Sequence, residues 1–119
     1  MRVLVIDDNQ DVLDLIDTFL RDTDYDVIAT NSAKEGLRHI ASGDIDVLLT
    51  DILMPNMDGI ELIKQLRSDH PDLWIIAISG GGVHLPANTA LTMSQAFGAD
   101  RMLYKPFQRA ELLAAFRPT

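Results

Sequence analysis

Four short apolar runs in this 119-residue chain each end in a side chain able to do chemistry. Asp7 and Asp8 follow the run 3–6, Asp51 follows 47–50, Ser79 follows 74–78, and Lys105-Pro106 follows 102–104. Brought together, these residues make an acidic pocket with one cation and one hydroxyl. Such a pocket can hold a hard divalent metal, which prefers oxygen ligands, and can orient a phosphoryl group by charge and hydrogen bonding. Each landmark also has an ordinary reading by itself. Acidic residues after a strand cap the next helix, an aspartate or a serine before glycines forms a turn, and a lysine before proline is usually solvated. The repetition of one placement at four strand ends is what favours a site.

The elements that must position these residues alternate strand and helix five times. After the first strand, Val12, Leu13, Ile16, Phe19 and Leu20 recur at helical spacing between acidic residues. Val27-Ile28-Ala29 reads as a second strand, and Ser32-Ala33-Lys34-Glu35 as a capping box opening a helix that Gly43 ends. The strand before Asp51 is apolar on both faces, as a central parallel strand is. Asp58-Gly59-Ile60-Glu61 opens a third helix running to His70. A fourth helix is expected around Thr89 to Phe97, ended by Gly98, and a last one over Gln108 to Phe116. Short connections between such units predict one α/β domain, a doubly wound parallel sheet with helices on both faces. In that architecture a site assembles at the carboxyl ends of the strands.

Composition narrows the function classes. The formal charge of −8 argues against unspecific binding to nucleic acid or to an anionic membrane. Without cysteine there is no disulfide framework and no thiolate metal site. No apolar run approaches the ~20 residues that span a bilayer, and the start of the chain is unlike a signal peptide. A soluble, cytoplasmic protein is expected. His39, His70, His84 and Trp74 keep ordinary readings as helix-end, loop and packing residues, and the Gly80-Gly81-Gly82 run lacks the Lys-Ser/Thr of a nucleotide phosphate loop.

Asp7-Asp8, Asp51-Ile52-Leu53-Met54-Pro55 with Met57-Asp58-Gly59, Ser79-Gly80 and Lys105-Pro106-Phe107, in that order, resemble the motifs of the receiver domains of bacterial two-component response regulators. The resemblance covers essentially the whole chain, 1–119, as a single-domain, stand-alone receiver. It implies a flavodoxin-like five-stranded sheet of order 2-1-3-4-5. It implies Asp51 as the phosphoacceptor, and Mg²⁺ (or Mn²⁺) held by Asp8, Asp51 and the Leu53 carbonyl, with Asp7 acting through a bound water. Lys105 and Ser79 would each meet a phosphoryl oxygen. The phosphodonor would be a sensor histidine kinase or a histidine phosphotransfer protein, and the output a contact with a further protein or onward phosphotransfer, without nucleic acid or membrane insertion. The chain would catalyse only its own phosphorylation and dephosphorylation.

The pattern is departed from at Met102, where receivers usually carry an aromatic residue three positions before the lysine. Ser79, Met102 and Tyr104 are therefore the expected switch residues, with Tyr104 taking over part of the aromatic's role on the same strand face. The segment 80–86 is longer than usual, a tolerated insertion or a flap. Leu53 offers no hydrogen bond to an attacking water, so a long-lived phosphoryl group is expected. Two rival classes stand beside this reading. One is a phosphate-independent binding module of the same fold. The other is an aspartate-nucleophile phosphatase, against which stands the missing second Asp two residues after the nucleophile, where Leu53 is found. A flavin carrier is disfavoured because Asp7-Asp8-Asn9 would repel a flavin phosphate.

Overall fold

The computed structural model describes residues 1–54, 57–79 and 98–116. The glycine run, the segment 80–86, the helix expected over 89–97 and the chain end after Phe116 lie outside the described residues. Within them the order is β1 (Arg2–Ile6), α1 (Gln10–Leu20), β2 (Asp26–Thr30), α2 (Ala33–Ala41), β3 (Val47–Asp51), α3 (Gly59–Asp69), β4 (Trp74–Ser79), β5 (Arg101–Tyr104) and α4 (Arg109–Ala115). A two-residue antiparallel ladder, Leu53–Met54 against Met57–Asp58, lies between β3 and α3. The five main strands are parallel throughout and form one sheet in the order β2-β1-β3-β4-β5.

Strict alternation along these strands divides the core in two. Val3, Val5, Val47, Leu49, Ile76, Ile78 and Leu103 pack with Leu13, Ile16 and Leu20 of α1 and Leu112 and Ala115 of α4. Leu4, Ile6, Leu48, Ile75 and Ala77 face the other way, against Ile40 of α2 and Leu62, Ile63 and Leu66 of α3. Helices thus cover both faces of the sheet, and a central strand such as β3 is buried along its whole length. Each fully buried aliphatic side chain contributes about 1.5–3 kcal/mol of the driving force.

Local signals explain where the helices start and stop. Asn9 caps α1, its side chain accepting from the Asp11 N–H at 2.9 Å. Ser32 caps α2 by accepting from the Glu35 N–H at 3.2 Å. The reciprocal half of the expected capping box is not made, because the Ser32 N–H donates to Thr30 Oγ1 at 3.1 Å instead. The reciprocal box forms at α4, between Gln108 and Glu111. Gly43, with φ +84°, carries the chain out of α2 in the left-handed region that glycine tolerates.

One tie was not anticipated from sequence. Arg67 of α3 donates to the carbonyls of Gly98 at 2.9 Å and of Pro71 and Leu73 at 2.8 Å, and pairs with Asp100. Asp100 in turn accepts from the Ile75 N–H at 2.8 Å. The guanidinium fork therefore fastens the amino ends of β4 and β5 to α3.

Candidate functional site

The site continues one face of the sheet. Residues two apart on a strand share a face, and Val3 and Val5, Val47 and Leu49, and Leu103 all lie in the core under α1 and α4. Each of these rows, extended by two residues, reaches Asp7, Asp51 and Lys105. Backbone pairing keeps the ends level. The Asp7 N–H still donates to Thr30 O at 3.2 Å, and Asp51 is in register with Ile78. Three apolar rows thus terminate in two carboxylates and an ammonium at the carboxyl edge of the sheet.

There the Lys105 Nζ lies 3.0 Å from Asp7 Oδ2 and 3.0 Å from Asp51 Oδ2. With Asp51 the contact is a formed hydrogen bond. With Asp7 the distance is that of an ion pair but the direction is poor, so the buried Oδ2 has no hydrogen-bond partner among the described residues. The other oxygen, Asp7 Oδ1, accepts from the Asn9 N–H at 2.9 Å. Asp7 is fully buried and Asp51 is 3% exposed, whereas Asp8 faces solvent. One carboxylate oxygen from each of Asp7, Asp8 and Asp51 lies within 4.8 Å of the others.

These positions set the charge balance. Burial pushes the Asp7 carboxyl above its ordinary pKa, helped by the nearby Asp51 charge and opposed by the Asn9 N–H and Lys105. Burial would lower Lys105, but the hydrogen bond to Asp51 and the two nearby carboxylates more than offset that, and its pKa is raised. The lysine is therefore a fixed cation. Three carboxyl groups thus gather around one ammonium, a donor set of oxygens that a further cation can share.

Ser79 ends β4 and is in register with Tyr104, which places its backbone at the same sheet edge as Lys105. Leu53 lies two residues after Asp51, in the small antiparallel ladder. Met102 packs partly buried against the core under α2 and α3, while Tyr104 is half-buried. The Lys105–Pro106 peptide bond is cis. Four residues singled out by sequence (Asp7, Asp8, Asp51 and Lys105) come together through their side chains. Sequence reasoning missed Asn9, which caps α1 and at the same time pins Asp7. Its signal was available, since an Asn directly before a helical periodicity is a capping residue.

The chain belongs to the response regulator receiver domain family, whose model matches residues 3–117. It is similar to the regulatory protein VanR of Enterococcus faecium, 32% identical over 113 residues that make up 95% of this chain and 47% of that protein. It is 32% identical over 112 residues to the response regulator SaeR of Staphylococcus aureus, covering 94% of this chain and 47% of the relative. The chain thus spans about half the length of the curated relatives it matches, 47% in both cases. Among solved structures, a CheY-like response regulator receiver domain protein from Methanospirillum hungatei superposes with a TM-score of 0.84 at 29% identity, over 97% of this chain and 89% of that one. A receiver domain protein from Clostridium thermocellum gives 0.79 at 31% identity, over 96% and 89%. Among the described residues no helix is long and apolar enough to cross a membrane.

Proposed function

We propose that this chain is the phosphoacceptor of a two-component relay, taking a phosphoryl group onto Asp51 from the phosphohistidine of a sensor kinase or a histidine phosphotransfer protein. The observation that carries the reading is the buried Asp51 carboxylate hydrogen-bonded to Lys105 at 3.0 Å, with Asp7 and Asp8 within 4.8 Å. In the transfer, an Asp51 oxygen forms a bond to phosphorus as the P–N bond breaks, and the departing imidazole takes up a proton. Phosphoryl transfer of this kind asks mainly for alignment and charge neutralisation rather than for a strong nucleophile. Burial of Asp51 at the strand end supplies the alignment. Lys105 supplies a cation for one phosphoryl oxygen, and Ser79, at the neighbouring strand end, a hydroxyl for another.

The donor set fits a hard dication. It consists of oxygens only and includes Asp7 Oδ2, which has an ion-pair neighbour in Lys105 but no hydrogen-bond partner among the described residues. Asp7, Asp8 and Asp51, with the Leu53 carbonyl, are the groups we assign to Mg²⁺. Bound there, the metal would neutralise charge on the phosphoryl oxygens. Output would pass to a protein partner through a surface that changes on phosphorylation, with Ser79, Met102 and Tyr104 as the coupling residues. Incubation with acetyl phosphate and Mg²⁺, followed by intact mass, tests the reading. One phosphoryl mass is expected on the unaltered chain and none on Asp51→Asn or without Mg²⁺. An adduct of equal yield on Asp51→Asn would overturn the assignment.

A further inference from the structure

At the end of the sheet opposite Asp51, the connections 43–46 and 69–73 and the last turn of α2 enclose a cavity of about 360 Å³. Ile40 and Leu73, both buried, close its floor with Ile45 beside them, and Asp46, Asp69 and Asp72 form an exposed rim. We propose that this cavity is a docking site for a protein partner, and that it receives an arginine side chain from a basic segment of that partner. The apolar floor and the carboxylate rim match the two halves of such a side chain. A long cationic side chain lays its stem along apolar surface while its charged head stays at the wet edge. The guanidinium head offers a fork of donors, two of which one carboxylate accepts at once. The volume lies at the lower end of the range for pockets that hold small ligands, which suits one side chain and its flanks.

Charge and rigidity both favour that occupant. Among the described residues the lining holds three carboxylates, no lysine and no arginine, with His70 its single imidazole. Arg2 meets Asp46 through its backbone N–H, at 2.8 Å, while its guanidinium goes to Asp26 and Asp44. The carboxylates of Asp69 and Asp72 have no hydrogen-bond or ion-pair partner among the described residues. The walls are already held. The Trp74 N–H donates to Asp46 O at 3.2 Å, joining the two connections, and Arg67 donates to Pro71 O and Leu73 O at 2.8 Å. Binding therefore orders little of this surface, which keeps its entropic cost low. The rim steers a basic segment in and turns an acidic one away, and the formal charge of −8 adds to that at longer range. The same rim repels nucleic acid and anionic membrane, which leaves a protein as the partner. Asp51 lies at the other edge of the sheet, so a partner seated here leaves the phosphoryl site accessible.

Amide NMR of the unaltered chain, titrated to millimolar concentration with a capped peptide Leu-Arg-Leu-Arg-Leu, tests the proposal. The control peptide carries glutamine at both arginine positions. Saturable shifts are expected at 43–46 and 69–73 with the arginine peptide and none with the glutamine peptide. Shifts confined to other residues, shifts equal for the two peptides, or no shift at all would each overturn the docking site. Asp69→Asn combined with Asp72→Asn should weaken binding at least about fivefold, the size of two exposed ion pairs. Asp14→Asn combined with Asp17→Asn makes the same change of charge on α1, which packs on the other face of the sheet from α2 and α3, and should change the affinity less than about twofold. Equal losses in the two double variants would mean that net charge alone attracts the peptide, and would refute a site at this cavity.

Discussion

Asp7→Asn should make the metal-free protein more stable at neutral pH, although it removes one side of an ion pair. The Asp7 and Asp51 oxygens lie within 4.8 Å, which at an effective dielectric of ~20 is a repulsion of ~3.5 kcal/mol. Lys105 at 3.0 Å returns an attraction of ~5.5 kcal/mol on the same scale. Loss of hydration costs a buried carboxylate several kcal/mol more, and Asp7 is fully buried. Burial and Asp51 together therefore outweigh Lys105 and the Asn9 N–H, the same ordering that raises the Asp7 pKa. A carboxyl whose pKa is raised on folding holds its proton more tightly when folded. It subtracts stability as pH climbs from the unfolded value of 3.8 through the raised folded one, and the whole deficit is present above that. Asparagine keeps an oxygen for the Asn9 N–H and carries no charge. The expected gain is ~1 kcal/mol, the ordinary size of a single-substitution effect, or ~4 °C in melting temperature, measured with a chelator present at about pH 7.5. The gain should shrink as the pH is lowered through the folded pKa of Asp7, and Mg²⁺ should stabilise the variant less than the unaltered chain. A variant that melts at or below the unaltered protein at neutral pH would show that the lysine pair dominates and that the reasoning about burial is wrong.

Three further substitutions probe the frame that holds the site. Gly36 of α2 packs on β1 so closely that a Cβ would run into Ile6 Cδ1 and come within 2.9 Å of Ile6 Cγ1. Gly36→Ala should therefore destabilise by ~1–3 kcal/mol in urea unfolding despite alanine's better helix propensity, and a more stable variant would contradict the packing. Arg67→Ala removes the fork that ties Gly98, Pro71, Leu73 and Asp100, and should cost ~2–4 kcal/mol, read by the same unfolding midpoint. Trp74 donates to Ala115 O at 2.9 Å and lies under Arg101 at 5.2 Å, so Trp74→Phe should lose ~1 kcal/mol, with thermal melting as the check.

The parts of the fold that rest on local chemistry were legible in the sequence. The double-sided apolar character of β3, the helical spacing of Leu13, Ile16 and Leu20, and Gly43 after α2 each follow from a short window of residues. The convergence of Asp7, Asp8, Asp51 and Lys105 was legible because all four follow apolar strands, and parallel strands bring their carboxyl ends to one edge. The Arg67–Asp100 tie was not legible, since it joins residues far apart in sequence through a geometry that only the assembled sheet creates. The half-made capping box at Ser32 failed for a comparable reason. Thr30, at the end of β2, reaches the Ser32 N–H before Glu35 can, and a local pattern does not reveal that competition. The bridging of Asp7 and Asp51 by one lysine was likewise beyond sequence. Spacing places a cation near the carboxylates but does not say which oxygens it takes.

Whether Asp51 takes up the phosphoryl group is decided by locating the group on the chain. The chain would be treated with acetyl phosphate and Mg²⁺, reduced with borohydride to convert an acyl phosphate to an alcohol, digested and sequenced by mass spectrometry. Reduction is expected at residue 51 alone, and should be lost when either Mg²⁺ or the phosphodonor is withheld. Reduction at residue 7 or 8 with residue 51 intact would contradict it.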